Sequence, residues 1–189
     1  QDPITLRMPF GSLEVNGNLM GTDDASITLI GSGETTFLNA DILTEGTPIT
    51  LNDSVIVATE VTLSTVENNN SGAVIEISGS INGVTDNEQT LTLSSGDNNV
   101  SLFGSIGEEV PLKTLTVNST GLVTFGDTVN LDNLNITGGT VQFTKESIST
   151  TGTQIYTDTS INTSGQDIVL SADGNLIIDN IDTRNSEQT

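Results

Sequence analysis

Apolar residues recur at alternate positions through most of the chain. The pairs Ile27/Leu29, Ile49/Leu51, Ile75/Ile77, Leu91/Leu93, Leu115/Val117 and Leu134/Ile136 are each split by one polar residue. Alternation with a period of two turns one side of a strand to a core and the other to water. The first members are 22, 26, 16, 24 and 19 residues apart, and Ile155 follows 21 later. Each pair is trailed by another alternating segment, as at Val55/Val57, Val100/Leu102, Val123/Phe125 and Val141/Phe143. A third lies near Ile106, Val129/Leu131 and Ile148. About three short strands per repeat of roughly 20 residues, with no helical spacing, describe one coil of a β-solenoid.

The turn residues agree with that reading. Gly121, Gly126, Gly138 and Gly139 interrupt the segment 114–143, and Ser95-Gly96-Asp97, Asn70-Ser71-Gly72 and Asp173-Gly174 punctuate other parts. Glycine supplies positive φ, and Asn and Asp tolerate it best among the rest. Within 114–143 the apolar positions repeat, Leu115 with Leu134, Val117 with Ile136, Val123 with Val141 and Phe125 with Phe143, whereas the turns between them vary. One coil cannot bury its inward row alone; a second coil about 4.8 Å away pairs the backbones and aligns the apolar rows. The competing fold is an antiparallel β-sandwich, which also has many short strands but does not need phrase-level repetition.

The ends differ from the middle. Residues 1–26, opening QDPITLRMPF, are expected to be an N-terminal edge or capping segment with a first irregular coil, and residues 27–189 the solenoid domain. Strand character runs to Ile181, and three fates are open for the end: Arg184 to Thr189 fold back, the chain continues in a longer parent, or another copy stacks there.

Composition narrows the partners. The 189 residues carry 4 Lys+Arg against 25 Asp+Glu, a formal net charge of −21. Such a surface repels phosphate backbones and anionic membranes, so nucleic acid and membrane insertion are not expected, and no apolar run is long enough for a membrane helix. No signal peptide is visible, so an exported chain would be a mature product or an excised piece. There is no Cys and no His. Disulfides, thiolate metal sites and the Ser-His and Cys-His nucleophile systems are thereby excluded.

The remaining chemistry is sparse, and the chain is not expected to be an enzyme. The carboxylate neighbours Glu108/Glu109 and Asp23/Asp24 read as solvated turns before they read as a glycosidase pair. The cations Arg7, Lys113, Lys145 and Arg184 are scattered, which disfavours a lyase for acidic sugars. The one Tyr, Tyr156, and five Phe offer no aromatic platform. No EF-hand loop or calcium-binding nonapeptide occurs; no cofactor is expected, and the calcium candidates are the turn carboxylates Asp97, Asp127, Asp132 and Asp173, with Asp158 beside them. Glycosylation-type triplets at Asn118, Asn135 and Asn162 follow from the abundance of Asn, Ser and Thr. Thr114/Thr116 and Thr124 hint at a water-ordering threonine row, but their spacing drifts.

The segments LTLSSGDNNVSLFGSIGEEVPLKTLTVNSTGLVTFGDTVNL and GQDIVLSADGNLIIDNIDT resemble the repeat regions of large exported bacterial proteins of the filamentous-haemagglutinin-like, β-strand-repeat adhesin type. The resemblance implies a right-handed parallel β-helix and an extracellular place, secreted or on the bacterial surface, as rod, stalk or fibre subunit. It supplies no functional residues. None of the four prolines (Pro3, Pro9, Pro48, Pro111) follows Asn, unlike the Asn-Pro motifs of the secretion domain in such proteins. The expected partners are a further copy, met through the solenoid ends, or a surface or glycan ligand. The alternatives are end-to-end filament assembly and a carbohydrate-binding or carbohydrate-active β-helix.

Overall fold

The computed structural model describes residues 2–31, 33, 35–145, 147–163 and 167–182. Among the described residues there are 21 strands and no helix. Every strand-to-strand ladder is parallel. The chain is a β-solenoid with three faces.

The first face carries the register column Ile4, Ile27, Ile49, Ile75, Val100, Val123, Val141, Ile161 and Ile181. The step between successive members is longest from Ile49 to Ile75 and shortest from Val123 to Val141. The column spans eight turns that average about 22 residues each. On the second face Leu13, Thr36, Val55, Ile81, Ile106, Val129, Ile148 and Leu170 are stacked. The third face stacks Leu19, Ile42, Leu63, Leu93, Val117, Ile136, Tyr156 and Ile178. At one strand spacing per turn the stack is roughly 40 Å long.

The columns are apolar apart from Thr36 and Tyr156, because a polar group buried between three sheets is costly unless it finds a hydrogen-bond partner. Most of their members are fully buried. Phe125 and Phe143 stack with centroids 5.2 Å apart, and Tyr156 meets Phe143 edge-on at 6.5 Å. The Tyr156 hydroxyl donates to Gln154 Oε1 at 3.1 Å, and Gln154 Nε2 donates to the Ser171 carbonyl at 2.7 Å. Burial pushes the Tyr156 pKa upward, so the phenol stays protonated.

Two sequence expectations are corrected here. Ile75 and Leu91, which follow one another in the series of alternating pairs, are not equivalent: Ile75 stacks with Val100 on the first face, and Leu91 with Val61 and Leu115 on the third. Alternation looks alike on every face, so the pattern alone slipped from one face to another within a single turn. Ile155 is not an inward successor of Leu134; Gln154 takes that register position and Tyr156 the next inward one. Within the N-terminal segment, read as an edge or capping stretch with a first irregular coil, Ile4–Arg7 runs in register with Ile27–Ile30 and Leu19–Gly21 with Ile42–Thr44, so the stacking starts there. Arg184 to Thr189 lie outside the described residues.

The corners hold the turns together. Between the first and second faces a Cβ on Gly79 would lie 2.3 Å from the Asp53 carbonyl carbon, and one on Gly104 2.4 Å from that of Gly79. Consecutive turns therefore touch backbone to backbone, and only glycine permits it. At the corner between the third and first faces a column of buried hydroxyls takes over: Thr44, Thr65, Ser95, Ser119 and Thr159. Ser95 and Ser119 both donate to the Asn98 carbonyl, at 2.6 and 2.8 Å, and Thr159 donates to the Gly138 carbonyl at 3.1 Å. Turn carbonyls that face the interior thereby gain donors.

Candidate functional site

The corner between the third and first faces bears a groove of about 480 Å³ on its outer side. Its floor is built from strand ends one turn apart. Ser94, Asn118 and Thr137 are register partners on the outward side of the third face, and Gly96 pairs with Ser119. Gly138 and Asp158 extend the floor over the next turns, and Thr120 and Asp97 line it. The groove therefore runs along the solenoid axis, crossing one turn per step.

Its wall is the excursion of residues 65–74, which contributes Val66 and Asn70. Thr65, fully buried, closes the base of this excursion: its hydroxyl donates to the Ala73 carbonyl at 2.9 Å and accepts from the Ala73 amide at 2.8 Å. Asn69 Oδ1 accepts from the Ser71 amide at 3.1 Å. The next turn grips the wall from below, because Asp97 N and Asn98 Nδ2 both donate to the Ser71 carbonyl, at 2.9 and 2.8 Å. Asn68 carries the positive φ of +55° that lets the excursion reverse, a conformation Asn tolerates better than most residues.

Within the groove Asp97 accepts from the Thr120 hydroxyl at 3.0 Å, and Asn118 Nδ2 donates to Ser94 Oγ at 3.4 Å. The backbone amide of Asp158 donates to Asp179 at 2.6 Å. No lysine or arginine lines the groove.

The structure distributes the candidate residues widely. Asp97 and Asp158 border the groove three turns apart, about 14 Å along the axis. Asp127 accepts from the Thr128 amide at 2.8 Å. Asp132 accepts from Asn133 Nδ2 at 2.8 Å and from Thr151 at 2.9 Å, at the corner between the second and third faces. Asp173 donates its amide to the Thr150 carbonyl at 3.1 Å. Among the described residues no three Asp or Glu are brought together around one point. Asp23 and Asp24 sit side by side at positive φ in a turn, and Glu109 donates its amide to Asn82 Oδ1 at 3.1 Å in another. Arg7, Lys113 and Lys145 are exposed on three different turns, and Arg184 lies outside the described residues. Thr114 and Thr116 register with Thr90 and Thr92 on the third face, whereas Thr124 stands on the first. Asn118 and Asn135 are outward on the third face and Asn162 on the first.

The buried corner hydroxyls beneath the groove escaped the sequence reading. Their signal was present: Leu63-Ser64-Thr65, Leu93-Ser94-Ser95 and Val117-Asn118-Ser119 each continue the inward alternation by one Ser or Thr. The buried carboxylate of Asp53 was missed too. It accepts from the amides of Gly31 and Gly33 in the preceding turn and belongs to the scaffold.

The fold defines the class: a three-faced parallel β-solenoid repeat protein with polar outer rows. Comparison with family models, curated proteins and solved structures finds no match.

Proposed function

We propose that the chain is a structural and adhesive rod of a secreted or cell-surface bacterial protein. One observation carries this reading: three register columns run without a break from the first turn to the last. Each turn is held only by its neighbours, so the molecule is stiff along one axis and repetitive around it. The invariant part is the core, and the outer rows of Thr, Asn, Ser and Asp are left for contact. The resemblance to repeat regions of exported adhesins supports the same role. Antibody labelling of intact producing cells under the electron microscope tests it. Label on projections at the surface is expected; label found only after lysis rejects the extracellular rod.

A second reading, end-to-end association, is favoured by the last described turn. Leu176 and Ile181 occupy inward register positions there yet are 44% and 53% exposed. A further β layer on that face would continue the columns and cover them. Sedimentation over a range of concentrations separates the two cases. A constant monomer mass rules out the assembling subunit and leaves the rod untouched.

A further inference from the structure

We propose that the axial groove between the third and first faces binds a neutral, hydroxyl-rich chain, a segment of polysaccharide laid along the rod. The inference deepens the reading of the outer rows as contact surface and assigns that contact to one place. The groove's volume of about 480 Å³ lies within the range of small-molecule sites.

Direction is the first argument. Ser94, Asn118 and Thr137 step through the groove one per turn, so the same kind of polar group recurs at each strand spacing. A ligand that repeats along its own length can meet this series several times over, whereas a compact metabolite meets it once. Chemistry is the second. The lining mixes groups that both donate and accept (Asn70, Asn118, Thr120, Thr137) with the carboxylates of Asp97 and Asp158, acceptors only, of which Asp97 already takes the Thr120 hydroxyl. Sugar hydroxyls both donate and accept and match such a mixture. Polyanionic sugars do not, because the lining holds no cation and the chain carries a net charge of −21.

Readiness is the third. The wall at residues 65–74 is braced by its own hydrogen bonds and by two donors from the next turn, so little ordering is needed on binding. Val66 offers an apolar edge for the C–H side of a sugar ring. With no aromatic ring in the lining, affinity comes from hydrogen bonds, and a single groove should bind a short oligosaccharide with Kd in roughly the millimolar range.

Titration followed by NMR tests this on the full chain. The probes are cellohexaose, maltohexaose and mannohexaose as neutral chains, a galacturonate hexamer as the anionic chain, and hexalysine as the basic one. At least one neutral hexamer should shift resonances of Asn118, Thr120 and Thr137. Thr137→Arg, exposed and outward, should weaken that binding about tenfold or more. Asp158→Asn tolerates the positive φ of this position and should weaken it by a smaller factor. Thr124→Arg, on the first face, should leave it unchanged. Circular dichroism of each variant confirms that the fold is kept. The proposal is overturned if no neutral hexamer binds, if hexalysine alone binds, or if Thr137→Arg and Thr124→Arg behave alike. None of those results bears on whether the protein stands on the cell surface.

Discussion

The turns from Ile49 to Val123 and those from Val123 to Ile181 share one core and differ in girth. The former, stepping through Ile75 and Val100, take about 25 residues each, and the latter, stepping through Val141 and Ile161, about 19 residues. The additional residues of the wide turns leave the stack at corners. One excursion, 65–74, walls the groove; two others, 84–89 and 107–111, lie against each other, with the Asn87 amide donating to the Pro111 carbonyl at 2.9 Å. Each is fastened by a buried polar side chain. Gln89 Oε1 accepts from the amides of Val84 and Thr85, both at 3.0 Å, and Asn82 Oδ1 accepts from those of Glu109 and Val110 at 3.1 and 3.2 Å. Variation is thus confined to corners, where a change of length leaves every register column in place.

If the two regions share one core, equal damage to either must cost equally. Leu93→Ala in a wide turn and Leu134→Ala in a narrow one should each cost about 3 kcal/mol in urea unfolding, because both side chains are fully buried in the same face. A Leu93 cost well below that of Leu134 breaks the comparison. Corner contact gives the next largest effect. Gly104→Ala in the wide region and Gly126→Ala beyond it place a Cβ 2.4 and 2.7 Å from the backbone below, and each should cost roughly 2–3 kcal/mol by thermal unfolding.

The regions should part company at the fasteners. Asn82→Ala leaves two amides without their acceptor and should cost about 2 kcal/mol. Its signature is local: limited proteolysis should quicken within 107–111 and stay unchanged beyond Val123. Thr36→Val asks whether a turn of ordinary length obeys the same rule of apolar columns. Thr36 sits between Leu13 and Val55 with its hydroxyl buried and without a partner. Here the variant should gain about 1 kcal/mol.

The smallest effect is a pH dependence. Glu45 accepts from Asn68 Nδ2 at 2.7 Å and from the Asp23 amide at 3.2 Å, and these bonds hold its carboxyl below the usual glutamate range. A depressed folded pKa contributes stability above the unfolded value and loses it as pH falls through the folded one. The stability gap between the parent and Glu45→Gln should therefore be widest near neutrality and shrink on acidification below the ordinary glutamate range. A gap that grows on acidification contradicts the assignment.

Much of this architecture was legible beforehand. Alternating Leu, Ile and Val revealed the strands, and the repeated phrase at 114–143 revealed the stacking, since Leu115 and Leu134, and Phe125 and Phe143, are true register partners. The phase of the repeat was harder to see. A strand pattern does not say which face it occupies, so Ile75 and Leu91 looked alike, and the buried Gln154–Tyr156 pair hid an inward row behind polar letters. The groove was not legible at all. It arises where Asn70, Asp97, Thr137 and Asp158, far apart in sequence, reach one corner through turns of unequal length.

The parallel ladders carry a mechanical consequence. Hydrogen bonds between turns point along the rod, so tension applied at its ends loads them head-on. A terminal turn has a neighbour on one side only and yields before an interior one. Each turn that peels away releases about 22 residues, roughly 75 Å of slack chain, while the remainder keeps its shape. Pulled at its ends, such a stack would lengthen stepwise by surrendering turns singly, each free to rewind on the turns that remain.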